Sequence, residues 1–135
     1  MDVHRLSDEQ RSAVEELAEQ YLWQLVVLFG SALSAPAPRD IDIAVLPESE
    51  PDLLTLGRWT RRLEAVLGVE PVDLLALTDR LSPITRFQVF RTGVCLFERT
   101  PGLFGREQDR AFFLYADTAV FRRQVLKPEE MGIDR

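Results

Sequence analysis

Residues 25–31 read LVVLFGS and residues 40–46 read DIDIAVL, and these two stretches decide the fold. The first is an uninterrupted apolar run that stops at Gly30-Ser31, which is typical of a strand buried on both faces. The second alternates acidic and apolar residues at its start, as a strand does when one of its faces meets the core. Residues 32–39 carry two prolines, which argue against a long helix between the two strands. We therefore predict two core strands joined by a loop.

Four helices surround these strands in the predicted order. Ser7 to Gln10 read as a capping box that opens the first helix. The second ends at Gly68, Ser82-Pro83 opens the third, and the last runs from about Leu103 to Leu126. The apolar face of the first helix is predicted to comprise Val14, Leu17, Ala18, Tyr21 and Leu22.

Two more strands, at residues 70–75 and 94–97, complete the pattern. The predicted order is helix, strand, strand, helix, strand, helix, strand, helix. This order indicates an α/β (α+β) domain with a small mixed central sheet flanked by helices. We predict one domain over residues 1–126 and a flexible tail over residues 127–135.

Composition excludes several classes of function. The 135 residues carry a net charge of -6, and this acidity disfavours direct binding to nucleic acid. No apolar run approaches the ~20 residues that span a bilayer, and the first residues do not resemble a signal peptide, so we expect a cytoplasmic protein. Cys95 and His4 are the only cysteine and histidine, which leaves carboxylates as the residues for any catalysis.

Three aspartates carry the predicted chemistry. Asp40 and Asp42 are two residues apart on a strand, so both carboxylates face one side while Ile41 points into the core. Two such carboxylates repel each other unless a cation lies between them, and their oxygens suit Mg²⁺ or Mn²⁺. Asp73 stands in an apolar strand, where we expect a buried charge that a metal would compensate. Gly30 and Ser31 offer backbone N–H groups and a hydroxyl for a phosphate.

With these motifs in this order, residues 22–98 resemble the minimal nucleotidyltransferases (MNT) of the polymerase-β superfamily. In prokaryotes such proteins are similar to MntA-type antitoxins, which transfer AMP from ATP to a tyrosine of a HEPN-type (HepT-like) RNase toxin and silence it. The resemblance implies the polymerase-β-like fold, Asp40, Asp42 and Asp73 as catalytic and metal-binding residues, and Gly30 and Ser31 as nucleotide-binding residues. It also implies two Mg²⁺ ions, ATP as substrate and a hetero-oligomer with the toxin.

The loop after Ser31 departs from the family pattern. The family commonly has an arginine and a glycine soon after Gly-Ser, whereas residues 32–38 read ALSAPAP. Arg39 stands where a small polar residue usually precedes the first aspartate. All three aspartates remain, so the altered loop bears on nucleotide affinity and choice.

Two other functions stay open on the sequence. The first is an MNT-like protein with weak or no activity that neutralises its partner by binding alone. The second is a transferase acting on a small molecule, although 135 residues leave little room for a domain to enclose one. The last helix has apolar residues on more than one face, among them Phe112, Phe113 and Tyr115. We interpret part of this apolar surplus as core and the remainder as a surface for a macromolecular partner.

Overall fold

The computed structural model describes residues 6–30 and 41–119, and the elements below belong to those ranges. The helices are α1 (Asp8–Tyr21), α2 (Leu53–Leu67), α3 (Pro83–Thr92) and α4 (Leu103–Asp117). The strands are β1 (Leu25–Phe29), β2 (Ile41–Leu46), β3 (Val72–Ala76) and β4 (Val94–Glu98). The element order is the predicted one.

The four strands form one mixed sheet in the order β3-β2-β1-β4. β1 pairs antiparallel with β2 and with β4, whereas β2 and β3 run parallel. β1 is therefore central, and its residues Leu25 to Leu28 are buried, as the apolar run predicts. The predicted small mixed sheet is confirmed.

Helices cover both faces of the sheet. α1 and α2 pack on one face, where Ile41 and Ile43 join Trp23 and Leu63 in the larger core cluster. α3 and α4 pack on the other, against Val27 and Ala44. Because side chains alternate along a strand, Asp42 lies on the α3 and α4 face, opposite to Ile41 and Ile43, as the sequence pattern predicts.

Three of the predicted helix ends are confirmed. Ser7 caps α1 in a capping box in which its hydroxyl accepts from the Gln10 N–H and its own N–H donates to the Gln10 side chain. Ser82 caps α3 with Pro83 in the first turn, and Gly68 ends α2 in the left-handed conformation. At the start of α4, Glu98 accepts hydrogen bonds from the backbone N–H groups of Phe104 and Gly102, which hold its pKa below the ordinary value.

Two details of the predicted helices are wrong. Leu22 is not on the apolar face of α1, because it closes the helix at φ 58° and is 47% exposed. The last helix is not continuous from Leu103, since α4 ends at Asp117 with Thr118 as its C-cap. Residues 120–126 of that predicted helix, and the predicted tail, lie outside the described residues.

A buried ion pair joins α3 to α4. Arg86 is 3% exposed although it is charged, and its guanidinium donates to the Thr78 carbonyl over 2.7 Å. Its Nη1 lies 3.7 Å from Glu107 Oε1 in α4, and Arg110 lies at the same distance from that oxygen. Burial lowers the pKa of Arg86. The pair thus keeps the Arg86 charge in the interior, close to the Glu107 carboxylate.

Arg99, directly after β4, binds the end of α1 and the short connection from α1 to β1. Its guanidinium donates to the carbonyls of Ala18 and Trp23 over 2.9 Å each and forms an ion pair with Glu19. One planar side chain therefore adds charge-assisted hydrogen bonds to the Ala18 carbonyl, which also accepts from the Trp23 N–H, and to the Trp23 carbonyl beyond the helix end.

Replacing Arg99 with alanine is expected to lower the free energy of unfolding by about 2 kcal/mol, because charge-assisted hydrogen bonds to partly buried carbonyls are lost. Urea denaturation of Arg99→Ala beside Arg61→Ala measures this, since Arg61 is an exposed arginine of α2. The exposed control should stay within about 0.5 kcal/mol of the parent. Equal stability of the two variants would contradict the anchoring role.

Within residues 6–30 and 41–119, none of the helices has both the length and the apolar character that crossing a membrane requires.

Candidate active site

Asp42 and Asp73 lie next to each other near the beginning of the neighbouring strands β2 and β3. Phe29, the last residue of β1, is the register partner of Asp42, and Asp42 in turn is the partner of Asp73 in the parallel pair. Residues at one level of neighbouring strands project to the same face. The two carboxylates therefore lie side by side on the face of α3 and α4, level with the last residue of β1.

Gly30 lies directly against the Asp42 side chain. Its φ is +82°, in the left-handed region that favours glycine. A Cβ on Gly30 would overlap Asp42 Oδ2 and would come within 2.9 Å of Cγ. The glycine predicted from the Gly-Ser motif is therefore next to the second aspartate of the Asp-x-Asp motif.

Asp73 is more accessible than its sequence context predicts. The residue is exposed, whereas its apolar neighbours led us to expect a buried charge, and that expectation is wrong. The reason is the strand order, which puts β3 at the edge of the sheet with β2 on one side only. Asp73 thus faces solvent, and Asp42, on the inner strand, is partly buried.

The start of β3 is held from the α2 side. Glu64 in α2 accepts a hydrogen bond from the Val72 N–H at 3.0 Å, one residue before Asp73. At the C-terminal end of the same helix, Gln10 of α1 donates to the Leu67 carbonyl at 2.8 Å. The sequence analysis missed Glu64, because a glutamate on a helix gives no signal of a contact eight residues away.

Two predicted site residues, Ser31 and Asp40, lie outside the described residues. Among residues 6–30 and 41–119, no three His, Cys, Asp or Glu side chains are grouped so that they could hold a metal ion. Of the five predicted site residues, the structure describes Gly30, Asp42 and Asp73. These three lie at the same end of three neighbouring strands.

Comparison with family models gives one match to this architecture. The model described as polymerase beta, nucleotidyltransferase, matches residues 13–101, about two thirds of the chain. The chain belongs to the polymerase beta nucleotidyltransferase family. The five predicted site residues all fall within the matched range, and a search of curated protein sequences finds no match.

Solved structures show the same family fold. A toxin–antitoxin with AMP-PNP contains a chain that is 24% identical with a TM-score of 0.75, and the match covers 89% of this chain and 98% of the other. A complex of a tri-AMPylated Shewanella oneidensis HEPN toxin with an MNT antitoxin has a chain that is 24% identical with a TM-score of 0.72, covering 90% and 96%. A toxin–antitoxin MntA–HepT complex has a chain that is 22% identical with a TM-score of 0.74, covering 92% and 99%. These similarities confirm the predicted fold.

Membership of the polymerase beta nucleotidyltransferase family implies divalent metal ions, and two of the described residues have the chemistry of ligands for them. Carboxylate oxygens are the donors that Mg²⁺ and Mn²⁺ prefer, and Asp42 and Asp73 are in register on one face. Gly30 contributes no side-chain atoms beside the Asp42 carboxylate.

Aromatic residues of α4 form the other feature predicted to serve function. Phe113 is 70% exposed and Phe112 is 39% exposed, and Ile84 of α3 is 42% exposed. Tyr115 instead stacks on Phe87, with ring centroids 3.9 Å apart. The apolar surplus of the last helix thus divides between packing on α3 and exposed surface, as the sequence analysis proposed.

Proposed function

We propose that this protein is a Mg²⁺-dependent nucleotidyltransferase that transfers AMP from ATP to a tyrosine of a HEPN-type RNase toxin in the cytoplasm and thereby acts as its antitoxin. The observation that carries the proposal is the alignment of Asp42 and Asp73 beside Gly30 at the end of β1. Family membership supports nucleotidyl transfer as the reaction class.

The choice of acceptor is supported by the similar structures. They include MntA with HepT and an MNT antitoxin with a tri-AMPylated HEPN toxin. The exposed Phe112 and Phe113 are the kind of surface that a protein partner covers, which favours a protein acceptor over a small molecule. We propose a hetero-oligomer of this chain with the toxin.

In the proposed reaction, the tyrosine hydroxyl oxygen attacks the α-phosphorus of ATP. A new bond forms between that oxygen and phosphorus, the bond from phosphorus to the bridging α–β oxygen breaks, and pyrophosphate leaves while the hydroxyl proton is released. Such transfers depend on positioning and charge neutralisation more than on covalent chemistry by the protein. Bound Mg²⁺ would supply the neutralising charge on the phosphates and lower the pKa of the acceptor hydroxyl.

The chain's own residues divide this work. Asp40, Asp42 and Asp73 would hold the metal, and Gly30 and Ser31 would hold the terminal phosphates. Asp73 is exposed on the edge strand, so the acceptor can approach it from the open side of β3. Asp42 is partly buried between Asp73 and β1 and would orient the nucleotide side of the metal site.

Incubating the protein with ATP, Mg²⁺ and the HEPN protein encoded beside it tests the proposal directly. We expect intact-mass spectrometry to show one or more added AMP moieties on the toxin, and peptide mapping to place them on tyrosine. Omitting Mg²⁺ or replacing ATP with a non-hydrolysable α–β analogue should leave the toxin mass unchanged.

Neutralisation by binding alone is the second candidate, and the exposed aromatic residues favour it as far as docking is concerned. It predicts an unmodified toxin whose RNase activity is nevertheless blocked by stoichiometric amounts of this protein, with or without ATP. That result would overturn the enzymatic function and leave the partner assignment intact.

A further inference from the structure

We infer that Gly30 positions the Asp42 carboxylate by leaving the space that this carboxylate fills, in addition to any contact that it makes with the nucleotide. The inference rests on the proposed function, because it concerns the same site. Gly30 is then a positioning residue, which acts on the reaction through Asp42.

Steric contact is the first support. A Cβ on Gly30 would overlap Asp42 Oδ2, and it would lie 2.9 Å from Cγ and 3.1 Å from Cβ of that residue. Three successive atoms of the aspartate therefore follow the bare backbone of Gly30. A side-chain carboxylate so placed is constrained on one side by the Gly30 backbone, and an added methyl group would displace it.

Strain from the backbone conformation of Gly30 is a separate effect, which an experiment must distinguish from the steric clash with Asp42. Gly30 has a φ of +82°, so any residue with a Cβ would be strained there even with open space around it. Gly68 is the matched control, because its φ is +69° and an added Cβ would meet nothing within 4 Å. Alanine at Gly68 introduces the left-handed strain without the clash.

A role in phosphate binding alone makes a different prediction. Gly30→Ala keeps the backbone N–H, which is the group that would bind a phosphate oxygen. A purely phosphate-binding glycine should therefore leave metal binding in the absence of nucleotide unchanged. A positioning glycine should weaken it, because the displaced group is a metal ligand.

Titration with Mn²⁺ alone, followed by electron paramagnetic resonance, distinguishes the two roles. Gly30→Ala should bind Mn²⁺ at least about tenfold more weakly than the parent, which is the loss typical when a residue that orients a metal ligand is changed. Gly68→Ala should bind with the affinity of the parent. Equal Mn²⁺ affinity in Gly30→Ala and the parent would overturn the inference.

Thermal unfolding without metal gives a second, independent readout. Gly30→Ala should lower Tm more in the parent than in an Asp42→Ala background, because the second substitution removes the atoms with which the new methyl group clashes. If Gly30→Ala does not fold, recovery of folding in Gly30→Ala/Asp42→Ala supports the inference. An equal loss in both backgrounds would contradict it.

The two readouts also separate this inference from the proposed function. A parent protein that binds no Mn²⁺ would remove the metal-dependent function. The thermal cycle would still decide whether Gly30 and Asp42 are coupled through packing.

Discussion

Replacing Asp42 with asparagine should reduce AMP transfer by at least about 1,000-fold while the protein keeps its fold. Charge neutralisation by a bound metal is worth several kcal/mol to the transition state, and each ~1.4 kcal/mol corresponds to a factor of ten in rate. Asparagine has nearly the shape of aspartate, so its fit beside Gly30 and Phe29 is preserved. The carboxylate charge beside Asp73 is what the substitution removes.

Single-turnover transfer of labelled AMP measures this effect, and circular dichroism with thermal unfolding confirms the fold. Asp79→Asn is the matched control, because Asp79 follows the opposite end of β3 and its side chain is 96% exposed. The control should retain the parent rate. An Asp42→Asn variant that transfers AMP within tenfold of the parent would remove Asp42 from the active site.

Replacing Glu107 with leucine should destabilise the protein by about 3 kcal/mol or more. The substitution leaves Arg86 buried and Arg110 close to it, with no carboxylate between them, and an unpaired charge in the interior typically costs about 3–5 kcal/mol. The loss should appear as a lower midpoint in urea denaturation with an unchanged slope.

The double variant Arg86→Met/Glu107→Leu is the control for this prediction. Removing both charges together eliminates the uncompensated arginine, and replacement of a buried ion pair by apolar residues is often neutral or stabilising. Most of the lost stability should therefore return. A double variant as unstable as Glu107→Leu would show that packing around α4, and not the unpaired charge, causes the loss.

Local sequence signals predict the part of the site that is built from neighbouring residues. The apolar run of β1 ends at Gly30, and the alternation of β2 correctly places Asp42 opposite the buried Ile41 and Ile43. Both follow from the two-residue period of a strand. The roles of Ser31 and Asp40 remain predictions, since these residues lie outside the described part of the chain.

Features that depend on distant residues could not be predicted in this way. The apolar neighbours of Asp73 indicate a buried strand, but its exposure is set by the position of β3 at the sheet edge, which is a property of strand order. Likewise, the helical spacing of Arg86 does not show that it lies in the interior. Its burial depends on the Thr78 carbonyl, which accepts a hydrogen bond from its guanidinium, and on the Glu107 carboxylate of α4, which balances its charge.

The parallel pairing of β2 with β3 links the site to the order of events in folding. β1 and β2 are neighbours in the sequence as well as in the sheet, whereas β3 pairs with β2 only after the chain has passed through α2. Contacts between residues far apart in the sequence form slowly, because the chain loses conformational entropy before these contacts stabilise it. A newly made chain can therefore bring Asp42 to Gly30 before Asp73 has joined them. The pair of carboxylates is complete only in molecules in which β3 has joined the sheet, and the cation proposed to bind both residues would stabilise that state over less folded ones.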